Sequence, residues 1–266
     1  MDLTTVSRVA VKAAYRSADI LRSRIGHLST VAKKGPVDLV TDADLASEAE
    51  IVRTIREVFP EHAIVAEESG TQAGASSDHC WIVDPLDGTV NYAHQVPVFA
   101  VSIAYAFRDA VRVGVVLNPL DGELFSAVEG AGARLNGQPI RVSPLEAELS
   151  ESLLATGFPY DLEADFDALG ARFLRCLRRA RGVRRLGSAA LDLCYVACGR
   201  FAGYWDRVQP WDAAAGTLLV REAGGTVTDF QNHPVGAEVR DVLATNGRIH
   251  AELLSLMEVE GRLRKK

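Results

Sequence analysis

The chain has 266 residues, of which 48% are hydrophobic and 24% charged, and its net charge is −6. That length can bury a substantial core as one large domain or two small ones, and the acidic balance argues against a general nucleic-acid or anionic-membrane surface. The first residues, Met1-Asp2-Leu3-Thr4-Thr5, carry no basic stretch leading into an apolar run. No window approaches the ~18 uncharged apolar residues of a membrane span, so the expectation is a cytoplasmic protein without membrane contact. The four cysteines, Cys80, Cys176, Cys194 and Cys198, lack C-x-x-C spacing. Buried free thiols are expected, although Cys194 and Cys198 lie four apart on a predicted helix and could meet.

Residues 3 to 25 place Val6, Val9, Ala10, Ala13, Ala14 and Leu21 at helical spacing, which predicts an opening amphipathic helix. Lys33-Lys34-Gly35-Pro36 breaks that pattern, and Val37-Asp38-Leu39-Val40 reads as an extended entry to a second helix beginning at Thr41-Asp42-Ala43-Asp44. Leu45, Ala49, Val52, Ile55 and Phe59 form its apolar stripe, and Pro60 ends it. Thr41 and Asp44 have the spacing of a capping box, which is the structural reading of Asp44. Ala63 to Ala66 then reads as a short strand that delivers Glu67-Glu68-Ser69-Gly70 at its end.

Adjacent acids are ordinarily solvated, but position changes the reading here. The next strand, Trp81-Ile82-Val83, ends at Asp84, and Asp84-Pro85-Leu86-Asp87-Gly88-Thr89 follows. Proline holds Asp84 extended and Asp87-Gly88 is a strong turn, so the backbone folds over within four residues and points two carboxylates into one volume. Such a pair needs a cation or a proton, and if the two strands are neighbours Glu67 joins it. A hard divalent ion with oxygen ligands, Mg²⁺ above all, suits that set. Gly88 and Thr89 add backbone N–H groups at a predicted helix start, suited to a phosphate.

Phe99 to Phe107, Val111 to Leu117, Glu123 to Val128 and Ile140 to Val142 follow as an antiparallel meander, with turns at Arg108-Asp109, Asn118 to Gly122 and Asn136-Gly137. Gly130-Ala131-Gly132 lacks the third glycine of a dinucleotide fingerprint and opens no helix. The second half alternates: strand Leu153 to Thr156, helix Phe166 to Ala180, strand Val183 to Leu186, helix Ser188 to Cys198, strand Phe201 to Trp205. A helix from Trp211 to about Ala223, strands Thr226 to Phe230 and Val242 to Thr245, and a last helix carrying Leu253, Leu254 and Met257 complete the chain. Gly187-Ser188-Ala189-Ala190 opens its helix with small residues that let a ligand approach the positive end, and Asp212 sits in a first turn, where a dipole partner is the plain reading. Seven arginines crowd residues 172 to 185: Arg172, Arg175, Arg178, Arg179, Arg181, Arg184 and Arg185. They read as a solvated face or subunit contact, or more sharply as a surface for an acidic protein or RNA partner.

Asp84-Pro85-Leu86-Asp87-Gly88-Thr89 closely resembles the signature of the inositol monophosphatase family of Mg²⁺-dependent, lithium-sensitive sugar phosphatases. Val37 to Asp44, Ala66 to Glu68, Gly187 to Ala190 and Trp211 to Gly216 resemble four further family motifs in the same order, and Ala155-Thr156-Gly157-Phe158-Pro159 and Gly187 to Leu193 look similar to the bacterial branch. The resemblance implies an α/β (α+β) fold, a layered α-β-α-β-α sandwich forming a single catalytic domain over 1–266, with helices and an antiparallel sheet to about 145 and an α/β part from about 150. It implies a homodimer that hydrolyses myo-inositol monophosphates by direct attack of a metal-activated water. The absence of a cysteine, histidine or serine nucleophile motif agrees, since phosphomonoester hydrolysis is helped mainly by positioning and charge neutralisation.

Carried over by position, the resemblance assigns one Mg²⁺ to Glu67, Asp84 and the Leu86 carbonyl, a second to Asp84, Asp87 and Asp212, and a weaker third to Glu67 through water. Asp44 and Thr89 resemble the couple that orients and deprotonates the attacking water; Gly88 and Thr89 amides would cradle the phosphate; Asp87, Ala189, Ala190 and Asp206 would meet the small phosphorylated polyol or sugar. Two departures stand out. Ala66 replaces the glycine before the acid pair, and in Tyr204 to Asp212 aspartate replaces the usual glutamate and the connection to Trp211 is one residue short. That loop contacts substrate hydroxyls, so fructose-1,6-bisphosphate, histidinol phosphate and 3′-phosphonucleotides remain alternatives, as does a regulatory protein binding transcription or RNA machinery.

Overall fold

A computed structural model of the chain describes residues 2–27, 31–33, 39–145, 147–158 and 166–258. The break at Lys34 to Pro36, the extended entry at Val37-Asp38, and Pro159 lie outside the described residues. Helix α1 (Leu3–Arg24) starts where the Asp2 carboxylate accepts the Thr4 and Thr5 N–H groups, a side-chain cap for donors that have no helical partner. It buries Val6, Val9, Ala10, Ala13, Ala14, Ala18 and Leu21 at helical spacing. Strands β1 (Val31–Lys33) and β2 (Leu39–Thr41) pair antiparallel and lead into α2 (Asp42–Arg56).

The apolar stripe expected on α2 is displaced. Leu45 is 56% exposed, and the buried face carries Asp44, Ser47, Glu48, Ile51 and Ile55. Polar residues can occupy that face because each has a partner: Ser47 Oγ donates to the Pro85 carbonyl at 2.8 Å, and Glu48 accepts the N–H groups of Glu68 and Ser69 at 2.8 and 2.9 Å. Hydrophobic periodicity does not register a buried face made of satisfied polar groups.

The larger sheet joins β3 (His62–Ala66), β4 (Gly70–Gln72), β5 (Ser76–Asp87), β6 (Ala100–Phe107), β7 (Ala110–Leu117), β8 (Leu124–Val128), β9 (Ala133–Leu135) and β10 (Gln138–Pro139) in the order β10-β9-β8-β7-β6-β5-β3-β4, with the short helix α3 (Thr89–Ala93) after β5. β3 and β5 run parallel, and β4, which was not expected, pairs antiparallel with β3; β6, β7 and β8 form the expected antiparallel meander, which a further unexpected strand, β9, extends to β10. Among the boundaries that differ from expectation are those of β5 and β10. β5 runs on through Asp84 to Asp87, because a register shift against β6 (Asp84 opposite Ser102, Asp87 opposite Ala100) absorbs one extra residue at Pro85, which has no N–H to give the ladder. β10 is Gln138–Pro139 rather than Ile140 to Val142, the strand following at once on the Asn136-Gly137 turn, whose residues have φ of 49° and 80°.

The second sheet takes β11 (Leu153–Thr156), β12 (Gly182–Arg184), β13 (Gly203–Arg207), β14 (Thr226–Thr228) and β15 (Asp241–Thr245) in the order β12-β11-β13-β15-β14, with helices α4 (Phe166–Arg179), α5 (Ala189–Ala197), α6 (Pro210–Glu222) and α7 (His250–Ser255) between them. Here β13 begins and ends two residues later than expected, because its ladder with β15 pairs Gly203 with Thr245 and continues to Arg207; Asp206 is therefore a strand residue. α1 and α2 cover one face of the larger sheet, α5 and α6 fill the space between the two sheets, and α4 and α7 cover the outer face of the second. The architecture is the α-β-α-β-α sandwich. Alternation along β5 builds it: Trp81 and Val83 face the α1–α2 side while Ile82 faces α5 and α6.

The arginine-rich stretch is partly internal. Arg172 Nε donates to the Met257 carbonyl and its guanidinium lies over the Phe230 ring, Arg175 donates to the Glu258 carbonyl, and Arg179 pairs with Glu252. These three fasten α4 to the C-terminal segment, so they are structural and unsuited to testing a partner surface. The exposed face of α4 instead presents Phe166, Leu174, Leu177 and Arg178.

α6 approaches the larger sheet at a glycine: a Cβ on Gly114 would lie 2.7 Å from the Ala215 carbonyl oxygen. Gly114→Ala should therefore cost about 1–3 kcal/mol by overpacking, lowering the thermal midpoint by about 2–4 °C per kcal/mol, and Gly114→Val more, as measured by thermal unfolding.

Candidate active site

The parallel pairing of β3 and β5 sets Ala66 opposite Val83, and the Glu67 N–H donates to the Val83 carbonyl at 3.2 Å, so Glu67 and Asp84 leave neighbouring strands side by side. The bulge after Asp84 brings Asp87 round, and Gly88, at φ +92°, turns the chain into α3; a Cβ there would lie 3.0 Å from the Val98 carbonyl and 3.1 Å from that of Gly187. From the second half, the first turn of α6 supplies Asp212. Glu67, Asp84, Leu86, Asp87, Gly88, Thr89, Ala189, Asp206 and Asp212 line one cavity of about 450 Å³.

Three of these acids are also held from behind. Asp84 Oδ1 accepts the Leu86 N–H at 2.9 Å, and Asp212 Oδ2 accepts the Gln209 N–H at 2.8 Å as half of a capping box. Asp87 Oδ2 accepts from Ser188 Oγ at 2.5 Å and the Ala190 N–H at 2.8 Å, while its Oδ1 takes the Ala189 N–H at 3.3 Å. The positive end of α5 thus binds a side chain of the protein itself, where an incoming ligand was expected. Ala189 lines the cavity, but Ala190 is fully buried behind it.

Burial raises the Asp84 carboxyl well above its ordinary range, and the charges of Glu67, Asp87 and Asp212 raise it further. Asp212 is raised in the same way, by burial first and then by Asp87, Glu67 and Asp206. Burial pushes Asp87 up to about 6, against the opposing hydrogen bonds from Ser188, Ala190 and Ala189. Among the described residues no lysine or arginine forms an ion pair with Asp84, Asp87 or Asp212.

Asp44 does not reach the cavity wall and is fully buried. Its two oxygens divide the two readings: Oδ2 accepts the N–H (2.8 Å) and Oγ1 (2.5 Å) of Thr41, closing the capping box, while Oδ1 accepts the Thr89 hydroxyl at 3.1 Å. That hydroxyl has a second acceptor, the Leu86 carbonyl, at 3.0 Å, so its single proton has two destinations. Asp206 is buried too, accepts from Tyr204 Oη at 2.9 Å and from the Arg207 N–H at 2.7 Å, and is pushed up to about 7 chiefly by burial.

Several cavity residues escaped the reading of the sequence. Asp192, in α5, faces the cavity at 1% exposure, and Arg185, Tyr204 and Phe158 also line it. The buried Glu48, four residues after Asp44, holds the Glu67-Glu68 turn through the Glu68 and Ser69 N–H groups. Its only signal was that i, i+4 spacing from Asp44.

Among the described residues no group of three or more His, Cys, Asp or Glu side chains stands ready-made as a metal cage. The donor chemistry nevertheless fits a hard divalent cation: every candidate donor is an oxygen, the acids are drawn from three separate turns onto one cavity, and their mutual charges raise one another's pKa values. The internal hydrogen bonds leave further lone pairs on each carboxylate for a cation.

Comparison with known proteins agrees with this geometry. The sequence profile of the inositol monophosphatase family matches residues 2–261. The chain is 46% identical over 254 residues to an inositol-1-monophosphatase of Synechocystis, covering 95% of this chain and 88% of that one. It is 41% identical over 259 residues to the Nus factor SuhB of Escherichia coli K12, covering 95% of each. Its structure superimposes on that of an inositol monophosphatase from Anabaena with a TM-score of 0.88 at 43% identity, covering 97% of this chain and 96% of the other. With motifs, layered sandwich and carboxylate-lined cavity in agreement along the whole length, the chain belongs to the inositol monophosphatase family of phosphatases.

Proposed function

We propose that the protein is a Mg²⁺-dependent phosphomonoesterase that hydrolyses myo-inositol monophosphates to inositol and phosphate. The observation that carries the proposal is the convergence of Glu67, Asp84, Asp87 and Asp212 on one cavity. Because these acids come from both halves of the chain, we take 1–266 as one catalytic domain. The residues that would hold two to three ions are Glu67, Asp84, the Leu86 carbonyl, Asp87 and Asp212. When bound there, magnesium supplies positive charge for the phosphoryl oxygens and acidifies water.

The rest is the work of the chain. The Gly88 and Thr89 N–H groups, on the cavity wall, receive phosphoryl oxygens. Thr89 Oγ1 takes a proton from the attacking water as its own moves to Asp44 Oδ1, 3.1 Å away; burial raises the Asp44 carboxyl and makes it a better base than a solvated aspartate. Asp206 and Asp87 accept hydroxyl groups of the leaving polyol, with Ala189 beside them. A homodimer and a cytoplasmic location belong to the same proposal; among the described residues no helix is long and apolar enough to cross a membrane.

A second reading, compatible with the first, rests on the relatives named as Nus factor SuhB and on the exposed face of α4 with Leu174, Leu177 and Arg178 beside Arg181: a surface for the transcription machinery.

In a phosphate-release panel, inositol 1-phosphate should be hydrolysed with Mg²⁺ and not after chelation, ahead of fructose-1,6-bisphosphate, histidinol phosphate and 3′-phosphonucleotides. Asp84→Asn should lower kcat/KM by about a thousandfold or more. Metal-free stability carries its own signature. Asp87 holds its proton more tightly in the folded chain, at about 6 against 3.8 unperturbed, so its contribution is full below 3.8 and lost as pH rises through about 6. The rise in thermal midpoint on adding Mg²⁺ should therefore be small at pH 5 and grow toward neutral pH. For the second reading, Arg178→Glu with Arg181→Glu should abolish retention of transcription proteins in a pull-down while phosphatase activity is unchanged; unchanged retention rejects it.

A further inference from the structure

We propose that Asp192 determines specificity by accepting a hydrogen bond from a free hydroxyl of the leaving alcohol. The inference rests on the phosphatase reading above and adds to it the group that selects a polyol.

Asp192 lies one turn into α5 and lines the cavity while being 1% exposed. An acid in the first turn of a helix ordinarily serves the helix, but this helix end is already satisfied. The Ala189 and Ala190 N–H groups go to Asp87, that of Leu191 goes to Ser188 Oγ, and that of Asp192 goes to the Ser188 carbonyl. Asp192 Oδ1 is enclosed and has no hydrogen-bond partner, a condition it shares among the described residues only with Arg175 Nη2. Arg185 is close enough to draw the carboxyl's pKa down, yet neither a hydrogen bond nor an ion pair joins the two. A buried, unpartnered carboxyl costs the fold stability that no internal contact returns.

The surroundings say what kind of partner fits. Asp87 and Asp206 lie near enough to raise the Asp192 carboxyl and Arg185 offsets them only in part, so a neutral hydroxyl donor suits this part of the cavity better than a second anionic group. No neighbouring hydroxyl serves instead, since Tyr204 Oη is committed to Asp206 Oδ2 at 2.9 Å. Whether ionised or protonated, the carboxyl keeps an acceptor oxygen. A donor from the cavity side, reaching the less enclosed Oδ2, which also has no hydrogen-bond partner among the described residues, is the remaining partner, and in the proposed reaction that donor is a hydroxyl of the polyol other than the esterified one.

The test compares Asp192→Leu and Asp192→Asn with the native protein on two substrates at saturating Mg²⁺: myo-inositol 1-phosphate, and p-nitrophenyl phosphate, whose leaving group has no free hydroxyl. Asp192→Leu should lower kcat/KM on the inositol ester by about 10- to 100-fold, mostly through KM, and leave the p-nitrophenyl ester within about threefold. Asp192→Asn, which keeps one carbonyl acceptor, should recover in part, to between about threefold and tenfold below native. The thermal midpoint of Asp192→Leu should equal or exceed that of the native protein, because the substitution removes an unpartnered buried carboxyl. Equal losses on both esters, a lowered midpoint with both activities reduced, or an unchanged inositol ester would each overturn the proposal. If Asp192→Leu does not fold, Asp192→Asn decides alone: an inositol-ester KM raised at least about threefold, with the p-nitrophenyl ester unchanged, supports the proposal, and anything less overturns it. A native protein that hydrolyses the p-nitrophenyl ester and no polyol phosphate overturns the substrate reading itself, and this inference with it.

Discussion

Buried carboxylates repel one another, and this fold spends much of its local structure on holding several of them together. The parallel ladder between β3 and β5 fixes Glu67 beside Asp84, the bulge at Pro85 returns Asp87 to the same space, and the first turn of α6 brings Asp212 from the other half of the chain. None of these backbone features can relax to separate the charges without breaking a ladder or a cap. Repulsion is therefore a standing feature of the folded protein, and a cation is its natural complement.

The support behind the acids is as specific as the acids themselves. Asp87 is clamped by Ser188 and the first amides of α5, Asp44 is clamped by Thr41 on one oxygen and meets Thr89 with the other, and Glu48 steadies the turn that carries Glu67. Side chains held this way lose little freedom when a substrate arrives, so the site is oriented before the reaction begins. The same groups serve structure and chemistry at once: the capping box at Asp44 and the helix cap at Asp212 are real, and each leaves an oxygen for other use.

Stability and function pull in opposite directions across the cavity. Asp84, Asp192 and Asp212 all sit where burial disfavours their charged forms, and an apolar residue at any of them would suit the fold better than the carboxyl does. Away from the cavity the packing is ordinary: alanine-rich helix faces against a sheet whose residues alternate sides, and glycine at Gly114 where a helix comes close. The arginines of α4 divide in the same manner, some fastening the C-terminal segment and others facing outward.

Much of this was written in local sequence. Strand alternation, the Asn136-Gly137 turn, the Gly88 bend and the acids Glu67, Asp84 and Asp87 depend on near neighbours and are legible there, while the layered sandwich follows from the resemblance that the ordered motifs carry. What the tertiary structure alone decided depends on partners far along the chain. The buried face of α2 is polar because Pro85, Glu68 and Ser69 lie against it, and β13 extends to Asp206 because β15 pairs with it. Asp192 carried no signal in the sequence, and its place on the cavity emerges only once α5 gives its first amides to Asp87 and Ser188. Periodicity and propensity describe what a segment does to itself; which polar groups are left without a partner is settled only when the whole chain has closed around them.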